Sequence, residues 1–481
     1  MMLTLGLIYL VTLFFSVPLY YLVNDKYKSW VLFISSVVFV ALLSFKALLF
    51  AIILTLVNYF AGILLEKYRD DSKVRVYLFW LTIVFNAAIL VITKAFGTLI
   101  DSLFPAGSPS IIDSMASFNY ILIPLGVSYY CFQALGYLIR INRGAEKAER
   151  NIINFFIYLI FFPKFISGPV LRSNHFLPQL KQPAGFNNTN LEEGLRLILW
   201  GLLKKIVIAN NLMIPVMLVY GNLSEYTGVA LLFVLLVQSF YIYFDFSGYT
   251  DMALGMASLF GLKVMDNFNR PFLARSITDY WRRWHISLSS WTNDFIYSPF
   301  IVKYRQYENI AIISGIFLTF FIVGVWHGLN WTFVILGLLQ GIAIVYEYYT
   351  KKYRFRFSAK LPVRMVKVLS RMIVFLFISI SLVFFFSGSV SDAAYFLTHL
   401  FAFNGSFSVP SEFLTHASGV FAAFIVLIVL MVFENLNENG KNLLGRFLNL
   451  PVWIQWIGYA ACLGMIILFY SDIQSFYYMR F

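Results

Sequence analysis

His327 is the side chain in this sequence that is best placed to do chemistry. It lies in the motif GVWHGLNW and follows an apolar run, residues 311–325, that contains no charge. An ionisable residue at membrane depth is costly and is therefore a functional candidate by default. Burial would keep the imidazole neutral, the form that accepts a proton from a hydroxyl attacking an acyl thioester. The alternative, equally open from the residues alone, is an interfacial histidine that hydrogen-bonds across helices beside belt tryptophans.

His285 lies in a second aromatic motif, WRRWH. The residues alone favour a position at the membrane surface over a catalytic role. Asp279 is spaced for helical ion pairs with Arg282 or Arg283. Residues 279–285 are therefore typical of an amphipathic helix at the membrane surface, with basic groups at the lipid headgroups. A second histidine there could instead orient an acceptor or donate a hydrogen bond to a developing oxyanion.

Asp245 is a carboxylate among aromatic residues, in the motif YFDFSG near the end of an apolar run. A buried carboxylate must find a partner or become protonated. We expect it to pair with Arg282 or Arg283. The other interpretation is that it holds a histidine in the productive tautomer.

Other chemical signatures are absent from the sequence. It contains no P-loop, no dinucleotide-binding glycine fingerprint and no GxSxG nucleophile elbow. The five histidines are His175, His285, His327, His399 and His416, and none stands in metal-ligand spacing. We therefore expect neither a bound metal nor a bound cofactor.

The composition predicts that these residues sit on membrane helices. Of the 481 residues, 60% are hydrophobic and 12% are charged, about half the charge of a soluble chain. Strand-like alternation is absent, so we expect an all-α integral membrane protein with about 10 to 13 hydrophobic helices, some re-entrant. The long apolar runs are residues 3–23, 47–65, 76–96, 119–139, 228–244, 309–326, 331–349, 368–386, 418–433 and 453–470, and shorter or broken runs lie near 30–44, 152–170 and 195–218.

The net charge of +13 is explained by the membrane better than by nucleic acid. Basic residues cluster in short loops, most densely between residues 351 and 367. By the positive-inside rule these loops face the cytoplasm, and the first apolar run is a retained span with the N-terminus outside. No linker or repeat divides the chain, so we expect one polytopic domain over residues 1–481. Residues 98–118 are expected to form a loop or a short surface helix, and residues 387–417 an extracytoplasmic excursion.

Two middle regions depart from regular spans. Residues 161–179 hold three prolines and a glycine, which predicts broken helix lining a buried or wet cavity. A capping box at Asn190 and Glu193 predicts the start of the next helix. In the second region Gly248 should end a helix and a new one should run over residues 252–260. An irregular turn follows at residues 267–271, and then a helix over residues 275–291.

Several motifs in this order resemble the membrane-bound O-acyltransferase family. They are IPLGVSYYCFQALGYLI, FFPKFISGPVLRSNHFLPQL, YFDFSGYTDMALGMASLFG, DNFNRPFLARSITDYWRRWHISLSSW and GVWHGLNWTFVILGLLQG. The resemblance covers residues 120–345, which are expected to be the catalytic core, and is greatest to the alginate O-acetyltransferase branch. It implies a ring of tilted helices around a core of broken ones with a channel. It also implies that His327 is catalytic and that His285 is its partner.

The chain departs from this branch at two points. Arg140 stands where the family often has an aspartate, and the segment after Tyr297, Ser298 and Pro299 lacks the usual glycine-rich basic loop. These departures leave the family's chemistry intact but weaken alginate as the substrate. The teichoic-acid D-alanyl transferase branch shares related motifs.

The resemblance implies an O-acetyltransferase of the bacterial inner membrane. Its donor would be a cytoplasmic thioester, with acetyl-CoA the leading candidate. Its acceptor would be an extracytoplasmic polysaccharide or a partner acetylase of the SGNH-hydrolase type, and its surroundings membrane lipids. His327 would be the general base, assisted by His285. The supporting core residues would be Asp245, Asn267, Asn269, Arg282, Trp326 and Asn330. The alternatives are D-alanyl transfer, a transporter or flippase of a lipid-linked sugar, and a non-catalytic scaffold of a secretion complex.

Overall fold

A computed structural model describes residues 2–103, 126–403 and 417–470, with side chains from residue 5 onward except those of residues 94–103. Within these ranges the chain forms helices and no strand. Ten helical segments are long and apolar enough to cross a membrane. The prediction of an all-α integral membrane protein is therefore confirmed.

The chain divides into two compact units. The first contains the residues up to Ile198 together with Met252–Asp266, and the second contains Leu199–Asp251 and the described residues from Asn267 to Tyr470. The expectation of one polytopic domain over residues 1–481 with a catalytic core at 120–345 stays a prediction.

The first unit begins with four long helices and continues with shorter ones. They are α1 (Met2–Leu22), α2 (Asp25–Leu43), α3 (Phe45–Lys67), α4 (Ser72–Leu103), α5 (Val127–Asn142), α6 (Ile152–Ile160), α7 (Ser173–Lys181) and the start of α8 (Asn188–Leu202). Residues 98–103, expected in a loop or a short surface helix, form the end of the long helix α4. Residues 104–118, and the first part of the run predicted at 119–139, lie outside the described residues.

The proline-rich break after α6 is confirmed. A single 3-10 turn, Phe162–Lys164, follows α6, and irregular backbone leads to α7. The buried Lys164 ammonium donates to the Gln133 side chain and to the Leu159 carbonyl. A cation at the carboxyl end of a helix stabilises the carbonyls that lack partners there. This lysine thus stabilises the end of α6 inside the protein.

The start of α8 differs from the predicted capping box. The helix begins at Asn188, and the Asn187 side chain accepts from the Thr189 amide at 2.9 Å. Asn190 lies inside the helix, where its carbonyl accepts from the Ser258 hydroxyl at 2.9 Å. Asparagine and threonine at positions 187–190 offer several possible caps, and the sequence pattern alone selected the wrong one.

The second unit carries the remaining helices. They are the end of α8, which continues through a π-helical turn (Leu203–Ala209) into α9 (Asn210–Gly221), then α10 (Val229–Ser258), α11 (Ile277–Trp281), α12 (Ile286–Thr292), α13 (Ser298–Lys303), α14 (Glu308–His327), α15 (Trp331–Ser358), α16 (Val363–Phe386), α17 (Val390–Thr398), α18 (Ala417–Glu438), α19 (Leu443–Leu448) and α20 (Val452–Leu468). The excursion predicted at 387–417 contains α17, and its residues 404–416, including His416, lie outside the described residues.

Gly248 does not end a helix, contrary to the prediction, because α10 runs unbroken from Val229 to Ser258. A Cβ at this position would lie 2.8 Å from the Gly201 carbonyl oxygen and 3.0 Å from the Lys205 amide nitrogen. The glycine therefore lets α10 approach the backbone of the preceding helical segment. Small residues commonly serve this purpose between membrane helices.

The predicted pairing of Asp245 with Arg282 or Arg283 is wrong. Asp245 forms a fully buried ion pair with Lys205, on the π-helical turn next to α10. Arg283 instead bonds Asp279 at 2.9 Å and Glu438 at 3.0 Å. The close approach at Gly248 brings Lys205 within reach of Asp245, and that tertiary contact is invisible in the local sequence.

Removing one member of this pair should strongly destabilise the protein. Lys205→Met or Asp245→Leu alone leaves an uncompensated buried charge, which costs about 3–5 kcal/mol. The double variant removes both charges and should recover most of the loss. Thermal unfolding in detergent measures this, with Lys352→Met, at an exposed lysine, as the control. A double variant no more stable than the singles would contradict the pairing.

Candidate active site

His327 is the last residue of α14 and is buried. The helix is held there by a close contact with α15. A Cβ at Gly324 would lie 2.4 Å from the Phe333 carbonyl oxygen, and one at Gly337 would lie 2.3 Å from the Phe320 carbonyl oxygen. Since neither glycine tolerates a side chain, the two helices touch backbone to backbone, and this fixes where the imidazole stands.

His285 lies at a break between two short helices. The predicted single helix over residues 275–291 is therefore wrong: α11 ends at Trp281 and α12 begins at Ile286. His285 has φ 44°, in the left-handed region that L-residues rarely adopt. Such strain costs on the order of 1–3 kcal/mol and is typical of functional positions. The interpretation of residues 279–285 as a surface helix also fails, because His285 is only 1% exposed.

The irregular turn predicted at residues 267–271 holds the helix break at His285 in place. The Asn267 carbonyl accepts from the Ile286 amide at 2.9 Å, and the Asn269 amide donates to the Arg283 carbonyl at 2.9 Å. Because each segment satisfies backbone groups of the other, neither needs regular helix. The two stretches of sequence thus form one structural element around His285.

The side chain of Asn267 determines which nitrogen of His285 carries the proton. Its Oδ1 atom accepts from the Ser287 amide at 3.1 Å and from the Ser287 hydroxyl at 2.7 Å. A backbone amide can only donate, so this atom is the oxygen of the side-chain amide. It also lies 3.2 Å from Nδ1 of His285, which must therefore be the protonated nitrogen. The lone pair of the neutral ring is left on Nε2.

Burial lowers the pKa of His285 from its ordinary value to about 3. The imidazole is therefore neutral at any physiological pH. A neutral ring with a fixed tautomer is suited to accept a hydrogen bond or a proton at one known atom, Nε2.

Trp326 connects the two histidines. Its ring centroid lies 4.6 Å from that of His327 and 6.0 Å from that of His285. Phe246 packs edge-on against His285 at 4.8 Å, and Phe385 packs edge-on against His327 at 5.5 Å. The structure thus brings the two predicted catalytic residues into one aromatic cluster.

Two cavities lie beside this cluster. The smaller, the His327 chamber, has a volume of about 50 Å³ and is lined by His327 with Gln340, Ser381 and apolar residues. The larger has a volume of about 920 Å³, and its charged lining consists of the basic residues Arg282, Lys351 and Arg354 and one carboxylate, Glu347. A small chamber at the candidate base therefore lies next to a larger cavity whose lining has more basic than acidic side chains.

The predicted supporting residues take different roles. Asn267 and Trp326 contact the histidines, and Arg282 lines the larger cavity. Asp245 pairs with Lys205, and Asn269 is exposed and bonds through its backbone. The Asn330 side chain donates to the Gly388 carbonyl at 2.7 Å, which ties the turn after α14 to the end of α16.

Sequence reasoning missed Gln340 and Trp281. Gln340 is buried in the apolar part of α15, where its side-chain oxygen accepts from the indole N–H of Trp281 at 3.2 Å. A lone amide in a membrane helix was a usable signal, because such groups hydrogen-bond across helices. Among the described residues, no group of three histidine, cysteine, aspartate or glutamate side chains could hold a metal ion.

Comparison with known proteins identifies the family of the chain. The family model described as MBOAT, membrane-bound O-acyltransferase family, matches residues 32–388. The chain belongs to the membrane-bound O-acyltransferase family and is a multi-pass integral membrane protein. The resemblance drawn from the motifs is thereby confirmed.

Individual relatives act on different polymers. The probable alginate O-acetylase AlgI of Pseudomonas aeruginosa is 33% identical over 333 residues, which cover 68% of this chain and 62% of that protein. The peptidoglycan O-acetyltransferase of Helicobacter pylori is 29% identical over 76% of this chain and 72% of its own. The teichoic acid D-alanyltransferase of Bacillus subtilis is 31% identical over a stretch that covers 48% of this chain and 61% of that protein. The chain therefore spans less than two thirds of the length of the alginate relative.

Replacing Asn267 by aspartate should introduce a pH dependence. A carboxylate beside Nδ1–H favours the imidazolium, so the pKa of His285 rises from about 3. The acyl-transfer rate should then fall on acidification at a pH where the parent protein is unaffected. The pH–rate profile measures this. Asn269→Asp adds the same charge two residues away and is the matched control. Superimposable profiles for Asn267→Asp and the parent protein would rule out the tautomer assignment.

Proposed function

We propose that this chain is an O-acetyltransferase of the bacterial inner membrane. It takes an acetyl group from a cytoplasmic thioester, with acetyl-CoA the leading candidate. It delivers that group to a hydroxyl of an extracytoplasmic polysaccharide or to an SGNH-hydrolase-like partner acetylase. The observation that carries the proposal is the pair of buried histidines joined by Trp326, with the His327 chamber next to a larger basic cavity.

In the proposed reaction His327 is the general base. It removes the proton of the acceptor hydroxyl as the oxygen attacks the thioester carbonyl carbon. The tetrahedral intermediate collapses with cleavage of the carbon–sulfur bond. The thiolate leaves and takes the proton back from the imidazolium, so His327 returns to its neutral form.

His285 orients the acceptor. With the proton on Nδ1 and directed at Asn267, the ring presents the Nε2 lone pair. A lone pair accepts a hydrogen bond from a hydroxyl but cannot donate one to an oxyanion. Of the two roles considered from the sequence, the tautomer therefore favours positioning of the hydroxyl.

The size of the His327 chamber supports acetyl as the acyl group. A water molecule occupies about 10–15 Å³ on this measure, so a chamber of about 50 Å³ holds about four heavy atoms. The reacting end of an acetyl thioester has four heavy atoms, namely the methyl carbon, the carbonyl carbon, the carbonyl oxygen and the sulfur. A D-alanyl group adds an ammonium, which needs a buried partner of opposite charge. None of the chamber's lining residues, all in the described part of the chain, is a carboxylate.

The larger cavity is suited to the remainder of the donor. Its volume of about 920 Å³ falls in the range of cofactor sites. Its lining carries three basic residues, Arg282, Lys351 and Arg354, against one carboxylate, Glu347. Arginine and lysine are the kinds of side chain that recognise phosphate groups. Lys351 and Arg354 belong to the most basic segment of the sequence, which the positive-inside rule assigns to the cytoplasm. A nucleotide-bearing thioester would therefore enter from that side.

A transporter of a lipid-linked sugar is the rival from another class, since broken helices and a buried polar centre suit it too. It predicts no turnover of a thioester. A non-catalytic scaffold predicts that loss of His327 has no effect in cells.

His327→Ala should abolish transfer. Loss of a general base costs on the order of 10²–10⁴-fold in rate. Purified protein in detergent is given radiolabelled acetyl-CoA with a polysaccharide acceptor or the partner acetylase, and transferred label is counted. His175→Ala, at an exposed histidine, is the matched control and should retain full activity. Full activity of His327→Ala would overturn the mechanism.

Widening the chamber should admit a longer acyl group. Leu336 lines it, and Leu336→Ala removes bulk beside the space for the acetyl methyl. One methylene in an apolar pocket is worth roughly tenfold or more in discrimination. We therefore expect the propionyl-to-acetyl rate ratio to rise about tenfold, measured with the two CoA thioesters. Leu339→Ala lies on the same helix outside both cavities and should leave the ratio unchanged. An unchanged ratio in Leu336→Ala would contradict the assignment of the chamber.

A further inference from the structure

The larger cavity and the His327 chamber share one wall. Three residues line both, namely Trp281, Phe320 and Val323. A thioester held in the larger cavity would have to pass this wall on the direct route to His327. The wall therefore lies between the two cavities at the point where a gate would act.

The three wall residues differ in how firmly they are held. Phe320 and Val323 are buried on α14 in the stretch that touches α15 backbone to backbone at Gly324. The backbone that carries them is therefore fixed. Trp281 is the last residue of the short helix α11, next to the irregular segment that leads to His285. Its ring can turn about its own side-chain torsions, so it is the movable part of the wall.

Trp281 is held in place by one hydrogen bond and two edge-on ring contacts. Its indole N–H donates to the buried Gln340 side chain at 3.2 Å, and its ring packs against Phe320 at 5.0 Å and against Tyr280 at 6.1 Å. The helix beneath it is anchored separately. The Glu347 carboxylate accepts from the amide and hydroxyl of Thr278 at 3.0 and 2.8 Å, at the start of α11. The ring can therefore swing while α11 stays in place.

We infer that Trp281 is a gate between the two cavities and that Gln340 is its latch. The inference rests on the proposed function, in which a thioester must reach His327. When the donor arrives, its acyl end displaces the indole and the arm of the donor fills the opening. When no donor is bound, the closed ring keeps water away from a base that would otherwise activate it. Exclusion of water prevents hydrolysis of an activated acyl group.

Removing the hydrogen bond between Trp281 and Gln340 should make the His327 chamber easier for the donor to reach. Gln340→Leu and Trp281→Phe each remove the indole–amide hydrogen bond and keep an apolar or aromatic side chain. A hydrogen bond of this kind shifts an equilibrium by about two- to tenfold. The apparent KM for acetyl-CoA should fall by that factor, because a larger fraction of molecules is open. The ratio of acetyl-CoA hydrolysis to transfer should rise.

The double variant tests whether Trp281 and Gln340 act through the same hydrogen bond. Since both substitutions break the same bond, Trp281→Phe with Gln340→Leu should match either single variant instead of adding to it. Trp291→Phe is the matched control, because Trp291 is buried on α12 and lines neither cavity. Additive effects, or a KM and hydrolysis ratio equal to those of the parent protein, would overturn the gate.

A labelling experiment tests the gate without any turnover. Ser381 lines the His327 chamber and is 1% exposed. Ser381→Cys, in a protein whose free cysteines Cys131 and Cys462 are replaced by alanine, reports entry of methyl methanethiosulfonate from water. Its labelling should quicken about two- to tenfold with Gln340→Leu or Trp281→Phe and stay constant with Trp291→Phe. Equal labelling rates in all backgrounds would disprove the gate even if the enzyme transfers acetyl. If Gln340→Leu and Trp281→Phe quicken the labelling but the protein turns over no thioester, the gate stands and only the proposed function is rejected.

Discussion

Gly324 on α14 and Gly337 on α15 bring two membrane helices into direct backbone contact, and the candidate site is built on that contact. Inside a bilayer no hydrophobic force pushes helices together, so close packing of small residues has to hold them. A methyl group on either glycine would lie 2.4 or 2.3 Å from a carbonyl oxygen of the other helix. The contact sets the separation of His327 at the end of α14 from Gln340 on α15. It also fixes Phe320 and Val323, which lie within one turn of Gly324.

The rest of the site is irregular, and hydrogen bonds compensate for that irregularity. His285 occupies a left-handed conformation that would not persist alone. Asn267 supports it through backbone and side chain together, with bonds to Ile286, Ser287 and the ring itself. Glu347 does the same for the start of α11. Each of these polar groups does two tasks, since it satisfies buried backbone donors and also determines where a functional ring points.

Sequence patterns predicted the membrane helices well, because length and apolar runs are local properties, and the catalytic roles of the two histidines stay a prediction. Where the prediction failed, a contact between distant segments decided the structure. Gly248 looked like a helix terminator, but it serves the approach of α10 to the backbone at Gly201. Asp245 looked like a partner for a nearby arginine, but that same approach supplies Lys205. The break at His285 was missed because its cause, Asn267, lies 18 residues earlier in the sequence, beyond the reach of helical periodicity.

The placement of Trp281 follows from two requirements that oppose each other. A base such as His327 works best in a dry, low-dielectric chamber, where its neutral form is favoured and water cannot compete. A donor that carries phosphates requires a hydrated cavity lined by arginine and lysine. The two environments cannot be one cavity, because water admitted for the charged groups would reach the base. A wall between them resolves the conflict only if it can open, and of the three residues in that wall Trp281 alone lies at the end of a short helix. The shortness of α11, only five residues, therefore matters to the site as the histidines do, because it places Trp281 at a helix end.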